Sequence, residues 1–190
     1  MRGTLKFAGA LVCGMSLAAT LCFVSASATA VPDKYSVKVP GGLAFSEFKG
    51  YEGWQTISVS HNGPALAVIL GNPRMIDAFK TGYPGNGKPF PDGARMAKVH
   101  WIARKNDAAP GQPLQPGPQA DVDFMVKDSS RFADSGGWGY AAFRYDPASD
   151  TFAPFTTSDT PPQANDAKCG FACHKIAKDR DYVFTQYAHR

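Results

Sequence analysis

Clusters of glycine and proline divide this chain into short apolar segments, and this division limits the folds it can adopt. With 19 glycines and 15 prolines in 190 residues, turns recur too often for a bundle of long helices. The segments at 53–72, 94–105, 121–128 and 135–146 are short, apolar or alternating, and bounded by turn residues, as strands are. The pattern predicts an α+β fold that is mainly β, an antiparallel sheet of about five strands with short helices.

Two short helices are predicted beside these strands. The segment 72–82 begins with Asn72, which can cap a helix, and Pro73, which suits a first helical turn. It ends at Gly82, a residue typical of helix C-termini. A second helix is expected from Lys175 onward, close to the C-terminus.

The first 30 residues have the pattern of a secretory signal peptide. Arg2 and Lys6 precede an uncharged apolar run, and the run ends in small residues up to Ala30. We expect cleavage after Ala30, so that residues 31–190 form a single exported domain, with an uncleaved membrane anchor as the alternative. Loss of Arg2 and Lys6 lowers the formal net charge from +4 to +2. So small a charge argues against binding to nucleic acid.

Near the C-terminus the chain reads Cys-Gly-Phe-Ala-Cys-His, residues 169–174. The other two cysteines lie in the predicted leader, so Cys169 and Cys173 would be the pair left after cleavage. A disulfide is common in exported proteins, whereas a zinc site would need more ligands than this motif supplies. The third interpretation is a c-type haem, bonded to both thiols and ligated by His174. That motif is usually Cys-x-x-Cys-His, so this chain has one extra residue, and spacing leaves the alternatives open.

Several segments in matching order resemble the cytochrome P-460 family of periplasmic c-type haem proteins. They read FPDGARMAKVHW, DVDFMVKDSSRFADSGGWGYAAF and CGFACHKIAKDRDYVFTQYA, and the resemblance covers most of residues 50–190. It implies a mainly antiparallel β homodimer in the periplasm, with one covalent haem c and its iron in each chain. By this resemblance Cys169 and Cys173 form the thioether bonds. His174, beside the C-terminal haem-binding helix, is the axial ligand of a five-coordinate iron.

The same resemblance implies an enzyme that oxidises hydroxylamine, with nitric oxide chemistry giving nitrous oxide or other nitrogen oxides. Electrons would leave one at a time to another cytochrome. In the family's enzymes a lysine side chain bonds to the haem edge, and the matching residue is Lys98 in ARMAKVHW. An edge-strand lysine that reaches solvent is the alternative interpretation. The distal carboxylate that accepts protons corresponds to Asp123, with Asp121 as the neighbouring candidate.

Alternation along a strand divides residues 121–127 between two faces. One face carries Asp121, Asp123, Met125 and Lys127, and the other carries Val122, Phe124 and Val126. The polar side could equally be an ordinary solvated face. His100 lies two residues after Lys98 and so shares its face, and we expect a packed residue there rather than an iron ligand.

A second function is compatible with the same fold. A relative, cytochrome c′-beta, lacks the lysine bond and has an apolar distal cap, and its resemblance implies a nitric oxide sensor, carrier or sink. Lys98 and Asp123 together favour the enzyme over this binding protein.

Overall fold

A computed structural model of the chain describes residues 33–39, 42–155 and 170–188. The predicted signal peptide and Cys169 lie outside these ranges. The described residues belong to one compact unit. None of the helices in these ranges is long and apolar enough to span a membrane.

Six strands form one antiparallel sheet in which each strand pairs with its neighbours in the chain. They are β1 (Gln55–Asn62), β2 (Ala65–Gly71), β3 (Arg95–Lys105), β4 (Leu114–Lys127), β5 (Trp138–Asp146) and β6 (Thr151–Pro154). The prediction of a mainly β, antiparallel α+β fold is confirmed. The sequence predicted about five strands, and β6 is the additional one. It has only 4 residues, too few for a recognisable alternation of apolar and polar residues.

The helix α1 (Pro73–Lys80) joins β2 to the loop before β3. The side-chain oxygen of Asn72 accepts a hydrogen bond from the backbone N–H of Met75 at 3.0 Å, as an N-cap does. Gly82 takes a φ of +94° just after the helix, a conformation that glycine adopts without strain. The predicted helix at 72–82 is therefore confirmed.

One face of the sheet packs against the N-terminal segment. This apolar layer contains Phe45, Phe48, Ala97, Val99, Val122, Phe124 and Val126. The rings of Phe48 and Phe124 are stacked, with centroids 4.0 Å apart. The apolar side of the alternation predicted for residues 121–127 is therefore confirmed. Asp121 and Asp123 are left on the opposite face.

Lys127 departs from the solvated face that alternation suggested. Lys127 is only 3% exposed, and its Nζ lies 2.7 and 3.0 Å from the two carboxylate oxygens of Asp181. Nζ also donates to the carbonyl oxygen of Gly136 at 2.9 Å. The solvated interpretation is wrong for this residue because Asp181 covers it from the C-terminal part of the chain.

The C-terminal segment, residues 170–188, packs on the same face as α1. Residues 170–174 are helical, and a 3₁₀ helix follows at Lys175–Arg180. Asp181 and Tyr182 then take positive φ values of 47° and 63°, which no right-handed helix can continue. The helix expected from Lys175 is therefore present but ends after Arg180, and residues 183–188 have no regular structure.

Candidate functional site

A cavity of about 980 Å³ is lined by the C-terminal segment and by the sheet face that carries Asp121 and Asp123. Its volume lies at the upper end of the range of about 300–1,000 Å³ typical of ligand and cofactor pockets. Among its lining residues are Lys98, Asp123, Cys173 and His174. The structure thus brings together the described residues that sequence analysis selected.

The cavity wall combines a large apolar area with a few polar groups. Its apolar side chains include Ile69, Met96, Met125, Phe155 and Phe184, and its lining residues with hydroxyl groups include Ser58, Ser60 and Thr185. Phe155 and Phe184 are 43% and 48% exposed, so their apolar surface is not covered by the protein itself. Such a wall suits a large, mostly apolar cofactor held by a small number of polar contacts.

His174 enters the cavity in a defined tautomer. Its Nδ1 lies 2.6 Å from the backbone carbonyl oxygen of Tyr182. A carbonyl oxygen only accepts hydrogen bonds, so Nδ1 carries the proton and Nε2 keeps the lone pair. The ring also lies 5.1 Å from the ring of Tyr140 and 4.8 Å from that of Phe184. Histidines that ligate metals are commonly oriented in this way by a carbonyl on the other nitrogen.

The electrostatic environment favours the neutral form of His174. Burial lowers the pKa of His174 below its ordinary value of 6.5, the hydrogen bond to Tyr182 opposes this shift, and the charge of Lys98 adds to it. The imidazole is therefore neutral at pH 7. A metal ion binds this neutral form.

The carbonyl that orients His174 is held by a buried ion pair. Asp181, next to Tyr182, is paired with Lys127 and accepts a hydrogen bond from the backbone N–H of Phe90 at 2.6 Å. These contacts tie the C-terminal segment to β4 and to the loop before β3. The chain is thereby fixed at the point where it turns back towards His174.

Glycine provides the space for this turn. A Cβ at Gly136 would lie 2.2 Å from Cε2 of Tyr182, far closer than two carbon atoms can approach, so only glycine leaves room for the tyrosine ring. Gly170 has a related role, since a Cβ there would lie 3.1 Å from Cβ of Tyr140. The helical residues around Cys173 can therefore approach β5 closely.

Cys173 is exposed and has a free thiol, and it lines the cavity one residue before His174. Its predicted partner Cys169 lies outside the described residues. The structure therefore describes only part of the predicted attachment motif. This part is the free thiol of Cys173 and the neutral imidazole of His174 on one helical turn.

Lys98 is half-buried and lines the cavity. Its strand β3 pairs with β2 on one side and with β4 on the other, so the edge-strand interpretation does not fit. Asp123 lies directly opposite Lys98 on β4. The amine and the carboxylate that sequence analysis selected are therefore cross-strand neighbours.

His100 and Asp121 form a pair that sequence analysis did not predict. Nδ1 of His100 lies 2.5 Å from Oδ1 of Asp121 and 3.8 Å from Oδ2 of Asp123. The pairing of β3 with β4 is regular up to His100 and shifts only beyond it, so the register that sets Lys98 opposite Asp123 also sets His100 opposite Asp121. The sequence feature that could have indicated this pair is the strand face that His100 shares with Lys98. Sequence analysis also did not identify the Tyr182 carbonyl as the acceptor for Nδ1 of His174. Every residue has a backbone carbonyl, so residue types give no sign of which one accepts.

A family model described as cytochrome P-460 matches residues 48–185, most of the chain. No curated protein matches the sequence. The family suggests a c-type haem protein and implies haem and its iron as the cofactor. The cavity fits that group, since it offers a neutral imidazole with a free Nε2 lone pair, an adjacent thiol and apolar walls. By its sequence match and its site, the chain belongs to the cytochrome P-460 family.

Proposed function

We propose that this chain is a c-type haem oxidoreductase that oxidises hydroxylamine, with nitric oxide chemistry giving nitrous oxide or other nitrogen oxides. The observation that carries the proposal is the convergence of Cys173, His174, Lys98 and Asp123 on one cavity. Two of these residues suit cofactor attachment, and the other two supply an amine and a carboxylate on the facing sheet. A protein that only transferred electrons would need neither of them.

In this proposal Cys169 and Cys173 hold haem c through thioether bonds, and Nε2 of His174 ligates the iron. The bound cofactor supplies an iron position for a small molecule and accepts the electrons removed from it. The Tyr182 carbonyl keeps Nδ1 of His174 protonated and so aims Nε2 into the cavity. The apolar walls exclude water from the cofactor's faces.

Lys98 is proposed to bond through Nζ to the edge of the haem ring. Its place on the cavity wall, on an interior strand, supports this assignment. A substituted ring is one means by which a protein changes the electronic properties of its haem. The bond would also turn the Lys98 ammonium into a neutral amine and remove a positive charge opposite Asp123.

Asp123 is proposed to accept protons from hydroxylamine. Oxidation of hydroxylamine releases protons together with electrons, and a carboxylate near the substrate can take them up. The half-buried position of Asp123 on the cavity wall supports this role. Asp121 remains the neighbouring candidate, and its carboxylate contacts Nδ1 of His100 at 2.5 Å.

Location and partners follow from the leader pattern and from the family. We infer export to the periplasm with cleavage near Ala30, which leaves residues 31–190 as one haem domain. The chain would form a homodimer and pass its electrons singly to another cytochrome. Hydroxylamine and nitric oxide are the proposed small-molecule ligands.

The cavity also has a feature that favours the alternative, a nitric-oxide-binding protein without the lysine bond. Ile69, Met96 and Met125 form an apolar wall on the sheet, which would shelter an uncharged diatomic ligand. This protein would act as a sensor, carrier or sink.

The optical spectrum of the reduced holoprotein tests the two proposals against each other. It should be recorded on protein produced in a host that matures c-type haem, for the wild type and for Lys98→Ala. We expect a strongly red-shifted main haem band in the wild type and an ordinary five-coordinate c-type band in Lys98→Ala. Lys88→Ala, which alters an exposed lysine, is the matched control and should keep the wild-type spectrum.

An ordinary spectrum in the wild type would rule out the lysine bond and support the nitric oxide protein. A red-shifted band that persists in Lys98→Ala would show that another residue modifies the ring.

A further inference from the structure

Three titratable side chains form one cluster on the cavity wall. His100 on β3 and Asp121 on β4 lie opposite each other, and Asp123 lies two residues further along β4. Polar atoms from all three residues lie within 4.8 Å of one another. The exposed fraction of the side chain is 16% for His100, 24% for Asp121 and 47% for Asp123. The cluster therefore extends from a largely covered imidazole to a carboxylate that is open to the cavity.

The contact with Asp121 determines which nitrogen of His100 can act as a base. An ionised carboxylate only accepts hydrogen bonds, so Nδ1 carries the proton and Nε2 of the neutral ring keeps its lone pair. Aspartate orients the histidine of hydrolase triads in the same way and stabilises the imidazolium when it forms. Nothing in the assigned chemistry of the cavity uses this second oriented histidine.

We propose that His100, oriented by Asp121, takes over the proton that Asp123 accepts from the substrate. Nδ1 is the ring atom near Asp123, at 3.8 Å from Oδ2, so the proton travels through a water molecule in the cavity that both residues line. The O–H bond of the Asp123 carboxyl group breaks, the water passes a proton on, and an N–H bond forms at Nε2 of His100. This step regenerates the Asp123 carboxylate and leaves an imidazolium paired with Asp121. The imidazolium then loses its proton to solvent. The inference rests on the proposed function and adds His100 as a proton acceptor, with Asp121 as its positioning residue.

Other charged groups surround the imidazole. The titratable and charged residues on the elements around it are Lys98 on β3, Asp121 and Asp123 on β4, Arg144 opposite Asp121 on β5, and His174 on the same cavity wall. β2 contributes none at this level, since Ala67 lies opposite His100. Arg144 lies opposite Asp121, but its guanidinium group lies over the ring of Phe155 at 4.6 Å. Asp121 is therefore the close counter-ion of the ring.

Two readouts on the holoprotein separate proton transfer from oxidation. The first is the pH profile of hydroxylamine oxidation. The second is the pH profile of the association rate constant for cyanide, which needs no redox step. Hydrogen cyanide must give up its proton when it binds as the anion, so a base in the cavity accelerates binding. The wild-type cyanide profile should decline with falling pH in a way that depends on His100. Hydroxylamine itself takes up a proton in acid, so its profile is used only as the ratio of variant to wild type at each pH.

His100→Gln replaces the ring by an amide that can still donate to Asp121 but does not titrate. We expect both rate constants at pH 7 to fall about a hundredfold, and the decline of the cyanide profile seen in the wild type to be lost. Asp123→Asn should slow hydroxylamine oxidation yet keep the decline at its wild-type pH, because His100 is still present. The matched control His61→Gln, on an exposed part of β1, should behave as wild type.

Retention of the wild-type profile by His100→Gln, or its loss in Asp123→Asn alone, would overturn the proposal. Should His100→Gln not mature, Asp121→Asn tests the same point. That variant keeps the ring but replaces the ionised carboxylate by a neutral amide, which can also donate to Nδ1 and no longer stabilises the imidazolium, so cyanide association should slow at least about tenfold. An unchanged rate would again overturn the proposal.

Failure of the proposed function would look different. If the wild type bound cyanide with a His100-dependent profile but did not oxidise hydroxylamine, the enzyme assignment would fall and the proton acceptor would stand. If hydroxylamine were oxidised and His100→Gln matched the wild type in both readouts, the enzyme assignment would stand and His100 would not be the proton acceptor.

Discussion

At the scale of single residues, the carboxylate of Asp123 lies between an amine and an imidazole. Lys98 is its cross-strand neighbour, and Nδ1 of His100 is 3.8 Å from Oδ2. The side chain of Asp123 lies on the cavity wall, so Asp123 can be altered without disturbing the apolar layer on the other face of the sheet.

We predict that Asp123→Ala matures and binds hydroxylamine but oxidises it about a hundredfold more slowly, because the first proton acceptor is gone. Steady-state kinetics of the holoprotein check this, with Asp107→Ala in an exposed turn as the matched control. Wild-type turnover in Asp123→Ala would remove this residue from the mechanism.

At the scale of elements, one ion pair joins the sheet to the segment that carries His174. Lys127 ends β4, and Asp181 follows the 3₁₀ helix of the C-terminal segment. Their side chains are only 4% and 11% exposed, so neither charge could be solvated if its partner were lost. The pair therefore fixes the C-terminal segment beside the cavity.

We predict that Lys127→Met lowers the free energy of unfolding by about 3–5 kcal/mol, because it leaves the Asp181 carboxylate buried without a partner. Lys34→Met removes a more exposed ion pair with Glu52 and should cost about 1 kcal/mol or less. Denaturant unfolding of the holoproteins measures both values. The double variant Lys127→Met/Asp181→Asn should recover part of the loss. If Lys127→Met and Lys34→Met lowered the free energy of unfolding equally, the buried Lys127–Asp181 pair would not have the stabilising role described here.

At the scale of the whole molecule, the C-terminal segment and the sheet are separated by a cavity that the proposed cofactor would fill. The apolar wall makes this arrangement costly without a ligand, since apolar area that a cofactor would cover stays in contact with water. A haem held by thioether bonds would stay attached to the unfolded chain. It would therefore stabilise the folded protein through the contacts that only folding makes, the apolar area it covers and the bond from His174.

We therefore predict that protein produced without haem maturation unfolds at a temperature lower by at least about 5 °C than the holoprotein, as a loss of a few kcal/mol implies for a domain of this size. Circular dichroism during heating measures the difference. Hydrogen exchange should show the largest loss of protection in residues 170–188, with the hairpin of β1 and β2 as the internal control. Equal unfolding temperatures would argue against a cofactor that bridges the sheet and the C-terminal segment.

The sequence by itself determined the local features of this protein. Alternation separated Val122, Phe124 and Val126 from Asp121 and Asp123, because successive side chains of any strand point to opposite faces. Asn72 and Pro73 marked the start of α1 because their preferences depend on the adjacent backbone alone. The family, too, could be predicted from the sequence, because the resemblance lies in residue types and their order along the chain.

Only the tertiary structure decided which of these residues meet. His100 faces Asp121 because of the register between β3 and β4, which is regular from Arg95 to His100 and shifts only beyond it. His174 is oriented by a carbonyl eight residues away, and Lys127 is buried by Asp181, which is 54 residues away in the chain. Residue types and spacing report local conformational preference, whereas these contacts depend on how distant segments pack against one another. Sequence analysis selected a few residues of the cavity wall, among them Lys98, Asp123 and His174, while their partners and the tautomer of His174 could not be predicted.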